Sequence, residues 1–182
     1  MTYYGPKELA SSFRTVRQNT IQIAEDIPEN NYGFQPAPGT RTVAQMLAHI
    51  AMLPRFQREM ANLQSLEGFD FGKFRAEAAA EEAKPRKKAE LIQLLRDSGE
   101  DYAKWLETLK EDFLGQVFTF PAGAQPPSRT RFDMLLSVKE HEMHHRAQLM
   151  VIERILGITP HLTRRQEERM AAMQQGQQTQ RA

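Results

Sequence analysis

Hydrophobic residues recur along this chain at spacings of three and four, interrupted by proline and glycine, and this alternation of periodic runs with breakers predicts a series of α-helices. The first starts after Pro6 and runs to about Asp26, with Leu9, Phe13, Val16, Ile21 and Ile23 on its buried side, and Ile27-Pro28 stops it. A turn-forming stretch, Phe34-Gln35-Pro36-Ala37-Pro38-Gly39, leads to Thr40 or Thr42, either of which can cap a second helix burying Val43, Met46, Leu47 and Ile50. Pro54 should kink or shorten that helix, because its ring crowds the carbonyl of Ile50. A mixed connection from roughly Leu66 to Lys84 follows. A third helix covers about Lys87 to Lys110, with Leu91, Leu94, Leu95, Tyr102, Trp105 and Leu106 available to a core. An irregular crossover containing Phe118-Thr119-Phe120-Pro121 and Gln125-Pro126-Pro127 precedes the last long helix, opened by Ser128 or Thr130. That helix reaches about Leu156, and Gly157 stands where a C-terminal cap belongs. No run of alternating strand residues stands out. Four helices of this length predict an all-α four-helix bundle with one long irregular connection.

Composition narrows the picture. At 182 residues, 40% hydrophobic and 26% charged, the chain can fill one core but not two substantial ones, so residues 1–162 are read as one bundle domain. Residues 163–182 are rich in Gln and Arg with little apolar surface, which predicts a flexible tail, a frayed helix or disorder. The pairs Ala79-Ala80-Glu81-Glu82 and Arg86-Lys87-Lys88 read as solvated helix faces or linker. A net charge of +1 announces no nucleic-acid or membrane surface, and points to small-molecule partners or self-association. No apolar run approaches membrane-spanning length and the polar start Met1-Thr2-Tyr3-Tyr4-Gly5 has no secretory character, so a cytoplasmic protein is expected. The absence of cysteine leaves His, Asp and Glu as the available metal ligands.

Those ligands are found in His141-Glu142-Met143-His144-His145. On a helix, residues four apart project from one face, so His141 and His145 can share one ion. Met134, Val138, Leu149, Ile152 and Leu156 continue the same stripe, which turns both imidazoles inward, where their ring nitrogens need partners or a cation. Two histidines hold a metal weakly. The third ligand expected is His49, which shares the apolar face of the second helix with Met46 and Leu53. Three imidazoles would leave a coordination position open, as in catalytic sites, with zinc the first expectation and nickel, iron or manganese as alternatives. His144 points off the axis of the pair and, with Gln148, is expected just behind the ligands. His161, beyond the glycine cap, is expected to be exposed.

The same segment spells H-E-x-x-H, the zinc-protease signature, with Glu142 as the would-be general base. Its longer form fails: Gln148 stands where a glycine is needed and Val151 where a third histidine is, and no edge strand is evident to hold a peptide.

The two histidine segments resemble the DinB-like (YfiT-like) helical bundles. The residues that carry the resemblance are Arg41 to His49 and His141-Glu142-Met143-His144-His145-Arg146-Ala147-Gln148, with Leu156-Gly157-Ile158-Thr159-Pro160 after the last helix. It spans about residues 5–160, and Ala147 replaces the family's usual glycine. The resemblance implies a four-helix bundle, often a homodimer, with a divalent metal on His49, His141 and His145. It implies three activities without choosing among them: transfer of a low-molecular-weight thiol to an electrophile, metal-dependent hydrolysis using Glu142 or a water-bridged base, or stress-related metal binding without turnover. With no carboxylate base evident beside His49, thiol transfer leads.

Overall fold

The computed structural model describes residues 4–63 and 65–179; Met1-Thr2-Tyr3 and the last three residues of the predicted tail lie outside it. Among the described residues there are seven α-helices: α1 (Pro6–Asp26), α2 (Val43–Ala61), α3 (Phe71–Glu82), α4 (Lys88–Glu107), α5 (Glu111–Gly115), α6 (Arg131–Ile155) and α7 (His161–Thr179). The long helices α1, α2, α4 and α6 form the bundle. Both α1 and α2 pack against α4 and α6, so the order around the bundle is α1-α4-α2-α6 and the successive helices α1 and α2 lie across a diagonal.

Local chemistry sets the helix ends. Of the two candidate caps for α2, Thr42 is used: its hydroxyl accepts from Gln45 N at 3.2 Å while Gln45 Oε1 accepts from Thr42 N at 2.9 Å, a reciprocal capping box. Thr130 caps α6 by accepting from Asp133 N at 3.1 Å. At the other end of α6, Gly157 has φ of +79°, the left-handed conformation that closes a helix. Pro54 does not shorten α2, which runs through it to Ala61.

The core has two apolar halves with a polar layer between them. One half joins Ile23, Leu47, Ile50, Leu95, Leu149 and Ile152; the other joins Phe13, Tyr102, Leu106, Leu135 and Val138. Between them lies Arg17, 4% exposed, paired with Glu142, 2% exposed. The guanidinium donates to Glu142 through Nε (2.9 and 3.1 Å) and Nη2 (2.9 Å), and to Leu95 O, Ser98 Oγ and Ile50 O through its remaining hydrogens. Gly99 makes room for this side chain, since a Cβ there would stand 2.7 Å from Arg17 Cγ. A glycine inside a helix costs about 1 kcal/mol relative to alanine, and passage of the arginine stem is what requires it.

Three sequence expectations need correction here. The mixed connection contains a full helix, α3, capped by Asp70, whose carboxylate accepts from Lys73 N at 2.9 Å. None of its residues is fully buried, so no apolar period marks it. The crossover carries a small antiparallel pair, β1 (Val117–Thr119) with β2 (Ser128–Thr130), in which Phe118 is buried between exposed neighbours. Three residues are too few for alternation to show as a pattern. His161, expected to be exposed, is buried: Pro160 and the Gly157 turn fold the chain back on α1, where His161 Nε2 donates to Asn19 Oδ1 at 3.2 Å. The same return starts α7, tied down by Arg164 to Asp26 at 2.7 Å, so the tail begins as an anchored helix whose residues 165–176 are exposed.

Candidate metal centre

His49 projects from α2 and His141 and His145 from α6, and these helices are direct neighbours in the bundle. Their ligand atoms lie within 4.8 Å of one another. His141 Nε2 is 3.1 Å from His49 Nε2 and 3.2 Å from His145 Nε2. The outer nitrogens of two rings are already committed. His49 Nδ1 donates to Glu82 Oε1 at 2.6 Å, and His145 Nδ1 donates to Gln148 Oε1 at 2.8 Å, whose amide nitrogen in turn reaches His144 Nε2 at 3.2 Å. With hydrogens fixed on those Nδ1 atoms, His49 and His145 each aim an Nε2 lone pair at His141 Nε2. A hydrogen there could satisfy only one of them.

A shared cation resolves this frustration. Zinc–imidazole bonds of about 2.0 to 2.1 Å in tetrahedral geometry separate ligand nitrogens by about 3.3 Å, close to the two distances from His141, while the set as a whole lies within 4.8 Å. All three rings are also in the required neutral form. Burial lowers the His49 pKa against the opposing pull of Glu82, and lowers that of His145 against its bond to Gln148. Burial, assisted by the neighbouring imidazoles, pushes His141 down to about 4. The residues present therefore fit a divalent ion, and neutral imidazoles suit zinc, nickel or iron.

Glu82 was invisible as a site residue in the sequence. It closes α3, in the stretch read as solvated face or linker, yet its carboxylate is largely buried and takes hydrogen bonds from His49 and from Arg41 at 2.7 and 3.3 Å. Burial alone would raise its pKa, but the bonds from Arg41 and His49 outweigh that and hold it below the ordinary carboxylate range. A carboxylate on the outer nitrogen of a ligating histidine fixes tautomer and ring orientation. The available signal was local: an acid at the end of a run with no apolar stripe, opposite a helix carrying an inward histidine.

Glu142 takes the other course. Both its oxygens are held by Arg17 in the polar layer of the core, and it does not join the three histidines, so the geometry gives the would-be general base a structural partner instead. His144 is exposed behind Gln148.

Of the three histidines His145 lines a cavity of about 700 Å³, bordered also by Glu82 and Gln148, with Met46, Val151 and Ile152 among its apolar walls and Arg41 and Gln45 among its polar ones. That volume is in the range of small-molecule sites. No helix among the described residues is long and apolar enough to cross a membrane.

Residues 12–149 match the model of the DinB superfamily. Solved structures share the fold. A DinB-like protein of Bacillus subtilis is 22% identical, with a TM-score of 0.63 over 84% of this chain and 93% of its own. YfiT of Bacillus subtilis, described as a probable metal-dependent hydrolase with an unusual four-helix bundle topology, is 16% identical, with a TM-score of 0.67 over 87% of this chain and 91% of its own. A mycothiol-dependent maleylpyruvate isomerase is 15% identical at a TM-score of 0.61, over 82% of this chain but only 63% of the isomerase. No functionally curated protein matches the sequence. With most of its length matched by the family model and its four long helices arranged as in these bundles, the chain belongs to the DinB superfamily.

Proposed function

We propose that this protein is a metal-dependent enzyme that transfers a low-molecular-weight thiol to an electrophilic small molecule, with His49, His141 and His145 holding the divalent ion. The observation that carries the reading is the set of three converging Nε2 atoms, two with their outer nitrogens pinned, of which His145 lines a 700 Å³ cavity. An ion bound there acts as a Lewis acid, lowering the pKa of a thiol or water that reaches it. The chain's own residues do the rest. Glu82 and Gln148 hold the ligand rings in one tautomer and orientation, and the apolar wall of Met46 and Ile152 excludes water from the reacting sulfur.

The carboxylates favour thiol transfer over hydrolysis. Glu82 is engaged by His49 and Arg41, and Glu142 by Arg17, so neither is free to accept a proton from an attacking water. A thiol, with a free pKa of about 8.5, needs much less help to ionise than water does. The likeness to YfiT supports a second reading, metal-dependent hydrolysis, and metal binding without turnover is a third. We also propose a homodimer built on exposed residues of α6, where Met143 and Ile155 are 41% and 56% exposed and Ala147 lies four residues after Met143.

Cobalt substitution tests the chemistry. Adding 2-mercaptoethanol to the cobalt protein should change its visible spectrum with release of a proton, and His145→Ala should abolish the change. A cobalt protein that ignores millimolar thiol but cleaves simple esters would assign the site to hydrolysis; one that does neither would assign it to metal binding alone.

A further inference from the structure

The lining of the cavity at the metal centre is one-sided in its hydrogen-bonding capacity. Every side-chain acceptor of its Glu and Gln residues is already engaged: Glu82 Oε1 by His49 and Arg41, Glu82 Oε2 by Arg41, Gln148 Oε1 by His145, and Gln45 Oε1 by Thr42 N. Thr40 Oγ1 is tied into its own loop, donating to Ala37 O at 2.7 Å. Unused N–H groups remain on Arg41 and Gln45, besides the second amide hydrogen of Gln148, whose first reaches His144. Arg41 uses Nε and one Nη2 hydrogen on Glu82, so Nη1 and the outer hydrogen of Nη2 form a parallel pair with no protein acceptor among the described residues. Gln45 spends its oxygen on the helix cap and keeps both Nε2 hydrogens.

Charge points the same way. Glu82 is the one acid in the lining and its carboxylate is paired with Arg41, so no unpaired anion faces the chamber. A planar fork of parallel N–H groups beside an amide matches the two oxygens of one carboxylate. The opposite wall, Met46, Val151 and Ile152, accepts hydrocarbon.

We infer that the substrate accepted by this chamber is a small amphipathic carboxylate, its anionic end on the outer edge of Arg41 and the Gln45 amide, its apolar body along Met46 and Ile152 toward the histidines. This rests on the reading of the cavity as the substrate chamber, and it makes Arg41 and Gln45 the specificity residues of that chamber.

The test compares hexanoate with its neutral isostere hexanamide, titrated calorimetrically into the full chain, zinc-loaded and zinc-stripped, with zinc content measured on the same samples. Hexanoate should bind at least about tenfold more tightly than hexanamide, since charge-assisted hydrogen bonds supply that much discrimination, and the preference should persist without zinc. Gln45→Glu keeps the cap acceptor for Thr42 N but sets a carboxylate in the chamber, so it should abolish the preference for hexanoate over hexanamide. Arg41→Gln should erase the preference. Equal affinities, no saturation by either compound below about 50 mM, or a preference that survives both substitutions would overturn the inference. Zinc uptake without any preference for hexanoate overturns this inference alone; the preference in a chain that takes up no zinc overturns the metal reading alone.

Discussion

Replacing Glu142 with alanine separates the two roles that its sequence context suggests. As the base of an H-E-x-x-H site it would be needed for turnover and dispensable for folding; as the partner of Arg17 it is needed for folding. The structure favours the second. Glu142 is 2% exposed and takes three of the guanidinium's hydrogen bonds, while Leu95 O, Ser98 and Ile50 O take the others. Removing one partner of a buried pair leaves an uncompensated charge, at a cost of about 3 to 5 kcal/mol. For a chain of this length each kcal/mol shifts Tm by about 2 to 4 °C, so Glu142→Ala should melt roughly 10 °C lower or more. Urea denaturation should show the same loss with an unchanged m-value. The double replacement Arg17→Met with Glu142→Leu removes both charges and should recover most of the stability, because an apolar pair of similar volume often equals or exceeds a buried ion pair. Under conditions where Glu142→Ala is folded, its zinc stoichiometry should equal that of the parent. An unchanged melting curve together with lost turnover would refute this reasoning and restore Glu142 to the chemistry.

Glu82→Ala should weaken zinc binding by about 10- to 100-fold in a chelator competition, with a smaller effect on stability than loss of a core residue, because α3 buries none of its residues fully. Glu153 is fully buried with no hydrogen bond to either carboxylate oxygen, and burial raises its pKa to about 7. The unfolded chain loses this proton near pH 4.5 while the folded chain keeps it until about 7, so stability falls as pH rises through that window, by about 3 kcal/mol in total. Relative to the parent, Glu153→Gln should gain about that much between pH 4 and pH 8 in parallel denaturations, and a constant difference would show that Glu153 titrates normally. Sedimentation of the parent at micromolar concentration should give twice the chain mass of 20.9 kDa and Ile155→Glu the monomer mass; a parent at 20.9 kDa rules out the dimer.

The sequence by itself determined the parts of this protein that depend on neighbours along the chain. Apolar periodicity marked α1, α2, α4 and α6, and side-chain caps at Thr42 and Thr130 with the glycine at position 157 set helix ends, because each is decided within a turn or two of helix. The four-residue spacing put His141 and His145 on one face, and the shared apolar stripe turned His49 inward, so the three converging imidazoles were legible. Tertiary structure decided what those residues meet. Glu142 and His145 are three apart on one helix, yet one faces the polar layer of Arg17 and the other the cavity, a difference set by which helices flank α6. Glu82 joins the centre only because α3 packs on α2, and a helix held by ion pairs and a few aromatic contacts leaves no apolar period to read. His161 is buried for the same kind of reason: the turn after α6 was legible, but the groove beside Asn19 into which it delivers the ring exists only once α1 and α6 are packed.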